Sequence, residues 1–158
     1  MRDGLLAASG RLDRMTGGPA VDIVSATPST RRTIYGFIDR QNLPGVFRTF
    51  DLASPDAHTP QRHQTTVPQQ ALFLMNNPFV VEAARALIAR PDVAAAEGPG
   101  QRIERLYRVL FGRAPEPDEV RLGLKFVERG PNEQPTSLGT WQQYAQVLLL
   151  SNEFAFVD

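Results

Sequence analysis

Seven polar residues between Thr49 and Asn77 have side chains that could do chemistry: Asp51, Asp56, His58, Arg62, His63, Gln69 and Gln70. The stretch reads TFDLASPDAHTPQRHQTTVPQQALFLMNN and holds both histidines of the chain. Arg, His and Gln side chains can bind a carboxylate, a phosphate or a sugar hydroxyl. A helix opening at Thr66 would add unpaired backbone donors beside them. The same residues can also be structural. Arg62 can pair with Asp51 or Asp56, and Gln70 can satisfy loop carbonyls, because a buried loop must find partners for its polar backbone. On that reading Arg62 is at least half buried.

Other chemistries find less support. His58 and His63, five positions apart with Asp51 and Asp56 nearby, are competent zinc or iron ligands. Their spacing matches no metal signature, so no metal and no cofactor is expected. A serine nucleophile needs a histidine partner, and Ser54 is the serine near these histidines. No Gly-x-Ser-x-Gly elbow surrounds it. Asp51 and Asp56 could serve as an acid–base pair on a glycoside, but aspartate pairs are common in loops. There is no Gly-rich phosphate loop.

The chain has 158 residues, 42% hydrophobic and 22% charged, with 17 basic and 17 acidic groups. That is ordinary globular composition, and the length fits one domain. Zero net charge argues against nucleic acid as a partner, since non-specific affinity needs an uncompensated basic face. Lys125 is the one lysine beside sixteen arginines. Arginine tolerates partial burial and forks onto carboxylates, although a GC-rich coding bias gives the same composition. With no cysteine, disulfides, thiolate ligands and covalent haem attachment within the chain are excluded. No stretch approaches the ~18 apolar residues of a membrane span.

The elements that must position the polar set are mostly helical. Leu5, Ala8, Leu12 and Met15 recur at helical spacing, and Gly17-Gly18-Pro19 reads as the stop. Thr33 to Ile38 is β-branched and aromatic and predicts a short strand, with residues 20–25 as its partner. Leu43-Pro44 opens a short helix through Phe47 and Phe50. Thr66 and Gln69 fit a capping box for a helix carrying Ala71, Leu72, Leu74 and Met75. Asn77-Pro78 starts another, with Val80, Ala83, Ala84 and Leu87 on one face. Residues 91–100 read as a loose connector. Ile103, Leu106, Tyr107 and Leu110 define a helix closed by Gly112. Prolines and carboxylates from Pro115 to Glu119 open the next. A last helix presents Leu138, Trp141, Ala145 and Leu148. The fold class is therefore mainly α: an irregular multi-helix domain with at most a small β-hairpin near residues 20–38. Residues 1–158 read as a single domain, with a loop-rich half over 1–64 and a helical half over 65–158.

Three segments carry a resemblance: RRTIYGFIDRQNLPGVFRTFD, PQRHQTTVPQQALFLMNNPFVVEAARAL and YAQVLLLSNEFAFVD, with RIERLYRVLFGRAPEPDEV between the last two. Together they resemble the C-terminal part of a planctomycete-type, cytochrome c-associated domain of unknown function, the one numbered fifteen fifty-three. The resemblance runs over nearly the whole chain and is densest from Pro60 to Leu74. It implies a larger extracytoplasmic parent protein, periplasmic or at the cell surface. It also implies upstream domains of that parent as partners, a cytochrome c-like module among them. It supplies no activity and no catalytic residue.

Two functional readings stay open. In one, the chain is a non-catalytic structural or interaction module of a larger exported bacterial protein. In the other, it is part of an enzyme acting on extracellular polymers such as glycans, with a polar pocket around Arg62 and His63. The first reading predicts an apolar face for an upstream domain or for self-association. Leu5, Leu6 and the Thr33–Ile38 strand edge are its expected contacts.

Overall fold

A computed structural model of the chain describes residues 1–25, 28–39, 41–43, 45–50, 52–53, 58, 60, 68–130 and 138–155, with backbone alone at positions 46 and 48. Nine α-helical segments run through the described residues. They are α1 (Arg2–Ala8), α2 (Gly45–Thr49), α3 (Pro68–Asn76), α4 (Pro78–Ala89), α5 (Pro91–Ala94), α6 (Pro99–Phe111), α7 (Pro117–Glu128), α8 (Thr140–Leu149) and α9 (Asn152–Ala155). No strand or sheet forms among the described residues, so the fold is mainly α and irregular. None of these helices is long and apolar enough to cross a membrane by itself. The chain divides into two compact units: Met1–Arg11 together with Met75–Asp158, and Leu12–Leu74.

The first unit is a helical assembly built on α4 against α8, its most extensive helix contact. The α4 helix starts as its sequence dictates. The Asn77 side chain accepts a hydrogen bond from the Phe79 backbone N–H at 2.9 Å, and Pro78 takes the first helical position. Its Val80, Ala84 and Leu87 are fully buried, as are Ala145 of α8 and Ile103 and Leu106 of α6. Gly112 closes α6 in the left-handed region at φ 69°. Glu116 and Glu119 form a reciprocal capping box at the start of α7, with the Glu116 N–H donating to Glu119 Oε2 at 2.7 Å.

Several sequence expectations change here. The first helix stops at Ala8, not near Gly17. Gly10 turns left-handed at φ 71°, and the Arg11 N–H donates to the Leu6 carbonyl at 2.8 Å, a Schellman-type ending. Leu12 and Met15 therefore lie off that helix, and Met15 is exposed. Leu5 and Leu6, expected as exposed contacts, are each 3% exposed and belong to the core. The 91–100 connector contains α5, a single turn that buries Val93 completely. Its start is fixed by Pro91 and by Arg90, whose guanidinium donates to the Ala8 carbonyl at 2.9 Å and to Asp92 Oδ2 at 2.7 Å.

In the Leu12–Leu74 unit the predicted strand is replaced by a 3-10 turn, Thr33–Tyr35. Val21 and Gly36 meet in an isolated parallel bridge rather than an antiparallel hairpin. The cause is Arg31. This buried side chain donates to the Pro19 carbonyl at 3.1 Å and to the Gly17 carbonyl, and it lies 4.3 Å from the Tyr35 ring centroid. The Tyr35 hydroxyl in turn accepts the Gly17 N–H at 3.0 Å. These bonds from side chain to backbone pin the segment as a folded loop, in which β propensity counts for little.

The tightest approach in the first unit falls at Gly123 of α7. A Cβ there would lie 2.5 Å from Tyr144 Oη and 2.9 Å from Ile103 Cδ1. Gly123→Ala gains about 1 kcal/mol of helix propensity, yet overpacking costs about 1–3 kcal/mol. Chemical denaturation should show net destabilisation, and a smaller loss in a Tyr144→Phe background, where the nearest atom is gone.

Candidate functional site

Of the seven polar residues singled out by sequence, Asp51, Asp56, Arg62 and His63 lie outside the described residues, as does Thr66 with its capping box. His58 and Gln69 are exposed. Gln70 donates from Nε2 to the Thr49 carbonyl at 2.8 Å, tying α3 to the end of α2. Phe50 and Phe73 meet edge-to-face beside that bond, centroids 5.3 Å apart. No group of three or more His, Asp or Glu side chains that could hold a metal occurs among the described residues.

The strongest polar constellation lies in the first unit, and of its members the sequence reading reached Glu119 alone, as a carboxylate at a helix N-terminus. Arg113, in the α6–α7 loop, donates from Nε to Glu153 Oε1 at 2.7 Å and from Nη2 to Glu153 Oε2 at 2.8 Å. It also donates from Nη1 and Nη2 to the two Glu119 oxygens, both at 2.8 Å, and from Nη1 to the Ala114 carbonyl at 3.1 Å. A guanidinium has five N–H donors, and all five are used. The hydrogen bonds to Glu119 and then to Glu153 raise the Arg113 pKa further above its ordinary value. The same Arg113 bonds hold both carboxyls below the usual carboxylate range. Close to this clasp, the Tyr107 and Tyr144 hydroxyls are hydrogen-bonded to each other. Burial raises the pKa of both phenols, reinforced at Tyr107 by the Glu119 charge and at Tyr144 by its neighbour Tyr107. The Arg113 guanidinium lies 5.4 Å from the Tyr107 ring centroid. With every donor saturated, the clasp is a fastening for α7 and α9, not a ligand site.

Two hollows open on this unit. One, of about 570 Å³, is bordered by Ser9, Gly10, Ala86, Arg90 and Asp92. Its arginine is committed to Asp92 and the α1 carbonyls. The other is a cleft of about 460 Å³ between the α5–α6 loop, the end of α7 and the start of α8. Glu97, Pro99, Arg102, Val127, Glu128 and Trp141 line it. The Arg102 guanidinium lies 5.0 Å from the Trp141 ring centroid. The Pro-Glu-Pro-Asp-Glu run did announce a helix N-terminus, and Glu119 was legible within it. Nothing local announced that Glu153, forty positions from Arg113, would share its guanidinium.

The architecture is thus that of a mainly α multi-helix domain. The family model described as PSD1, protein of unknown function (DUF1553), matches residues 1–127, and the chain belongs to that family. No curated protein and no solved structure matches it.

The titrations predict a stability profile limited at both ends. Glu119 and Glu153 have depressed folded-state values. Their contribution is full above the unfolded glutamate pKa of about 4.3 and is lost as pH falls through the depressed values. Tyr107 and Tyr144 have raised values, so their contribution is full below about pH 10 and is lost as pH rises through the folded values. Thermal midpoints measured from pH 2 to 11 should fall on both sides. Glu153→Gln should flatten chiefly the acid limb, with a smaller effect through Tyr107 at alkaline pH, and Tyr144→Phe should flatten the alkaline limb.

Proposed function

We propose that this chain is a structural or interaction module of a larger exported bacterial protein, engaged by that protein's upstream domains rather than performing a reaction itself. The observation that carries this reading is the side-chain display on the Leu12–Leu74 unit. Ile34 is 76% exposed and Phe37 64%, with Met15, Val24 and Ile38 also in solvent. Large apolar side chains exposed together mark interaction surfaces.

The display is tied to Val21 at two points. The Val21 N–H donates to the Tyr35 carbonyl at 2.9 Å, and the Phe37 N–H donates to the Val21 carbonyl at 2.8 Å. Backbone held by such bonds has less freedom to lose on binding. With Leu5 and Leu6 in the core, this loop is the contact surface that supports the reading. A cytochrome c-like module fits as a neighbour in an extracytoplasmic parent protein. The glycan-enzyme alternative draws its pocket from Arg62 and His63, which lie outside the described residues.

The test is association. Light scattering at high concentration, and a pull-down with the upstream region of the parent protein, should show self-association or capture. Ile34→Asp with Phe37→Asp should weaken it by about 2 kcal/mol or more, as for hot-spot residues, with little change in thermal midpoint. A clean monomer that captures nothing would leave the module reading without support.

A further inference from the structure

We infer that the cleft bordered by Trp141, Arg102, Glu97 and Glu128 is a binding site for a neutral saccharide, a function beyond the docking role and located on a different unit. Among the described residues, six arginines of the first unit pair with a carboxylate: Arg2 on Asp3, Arg85 on Glu82, Arg90 on Asp92, Arg108 on Glu104, Arg113 on Glu119 and Glu153, Arg121 on Asp118. Arg102 is not among them. Arg102, Glu97 and Glu128 line one hollow, yet none forms an ion pair with a described residue. Arg102 is placed over the indole instead.

Stability does not explain Glu128 either. It is the exposed last residue of α7, where the negative end of the helix dipole disfavours a carboxylate. Trp141 departs in the same direction. It stands in the first turn of α8 and is only partly buried, while Tyr144, Ala145 and Leu148 of that helix fill the core.

These groups together suit a polyol. Carboxylates accept from paired hydroxyls, and a guanidinium held over an indole donates to ring and hydroxyl oxygens. The hollow of about 460 Å³ is open to solvent, as a surface site for a saccharide chain must be. Two carboxylates against one guanidinium leave the cleft with net negative charge. Neutral sugars are therefore favoured over uronates and sulfated sugars.

Trp141 is the only tryptophan in the chain, so its fluorescence reports on the cleft alone. The full chain should be titrated with cellopentaose, xylopentaose and maltopentaose, and with trigalacturonate as the acidic comparison. At least one neutral probe should give a saturable change in intensity or wavelength, and trigalacturonate a weaker one or none. Glu128→Gln and Arg102→Ala should each raise the dissociation constant about tenfold, the loss expected for a hydrogen bond to a charged group. Both side chains lie outside the core, so circular dichroism and the thermal midpoint should not move. The inference is overturned if no neutral probe saturates, if trigalacturonate binds as tightly, or if the two variants bind as the parent does.

Discussion

A single guanidinium organises the C-terminal half of the helical unit. Arg113 sits in the loop between α6 and α7 and has all five donors in hydrogen bonds. One fork fixes Glu119, which also caps the start of α7; the other fixes Glu153 and so seats α9. Coulomb attraction between half-exposed charges is worth little by itself in water. Geometry gives this cluster its weight, because two bidentate contacts meeting on one planar group define the directions of both partners. The Tyr107–Tyr144 hydrogen bond, and the space for Tyr144 beneath Gly123, depend on α7 lying where that clasp holds it.

Elements whose cause is local were legible in the sequence. Asn77-Pro78, the Pro-Glu-Pro-Asp-Glu run and Gly112 each carry their own capping chemistry, and the helices they bound lie where periodicity places them. The failures have tertiary causes. The Thr33–Ile38 segment has strand propensity, but it turns at Thr33–Tyr35 and meets Val21 in a single bridge, while Arg31 and the Tyr35 hydroxyl fasten it to Pro19 and Gly17. Leu12 and Met15 match a helical period that Gly10 had already interrupted. The single turn of α5 is too short to show any period. Its helicity comes from the fixed φ of Pro91 and from the Arg90 bonds to Ala8 and Asp92. The polar set was found by composition alone, and of it the described structure shows Gln70 fastening two helices. The cleft at Trp141 was not legible, since its walls come from the α5–α6 loop, α6, α7 and α8.

The two units differ in how they settle polar groups. In the helical unit, described charges meet charges along and between helices as well as carbonyls, as Arg90 meets Ala8. In the Leu12–Leu74 unit, side chains meet backbone: Arg31 on carbonyls, Asp22 on the Val24 and Ser25 N–H groups at 2.9 and 3.1 Å, Tyr35 on Gly17. A loop fastened in this way needs little core of its own. It can leave Ile34 and Phe37 in solvent without losing its shape.

The helical unit is discontinuous in sequence, with Met1–Arg11 rejoining a body that resumes only at Met75. The Arg90 bond to the Ala8 carbonyl closes a separation of 82 residues. Closing a chain of that length costs on the order of 4 kcal/mol of loop entropy before any constant term. On the ribosome, α1 emerges before α4 and cannot dock on it until the whole intervening unit has been made. Its core side chains, Leu5 and Leu6, stay uncovered through that interval. Vectorial synthesis therefore favours a loop unit that folds promptly between α1 and α4, and a slow-translating stretch within residues 12–74 would lengthen the exposure of α1 to chaperones and proteases.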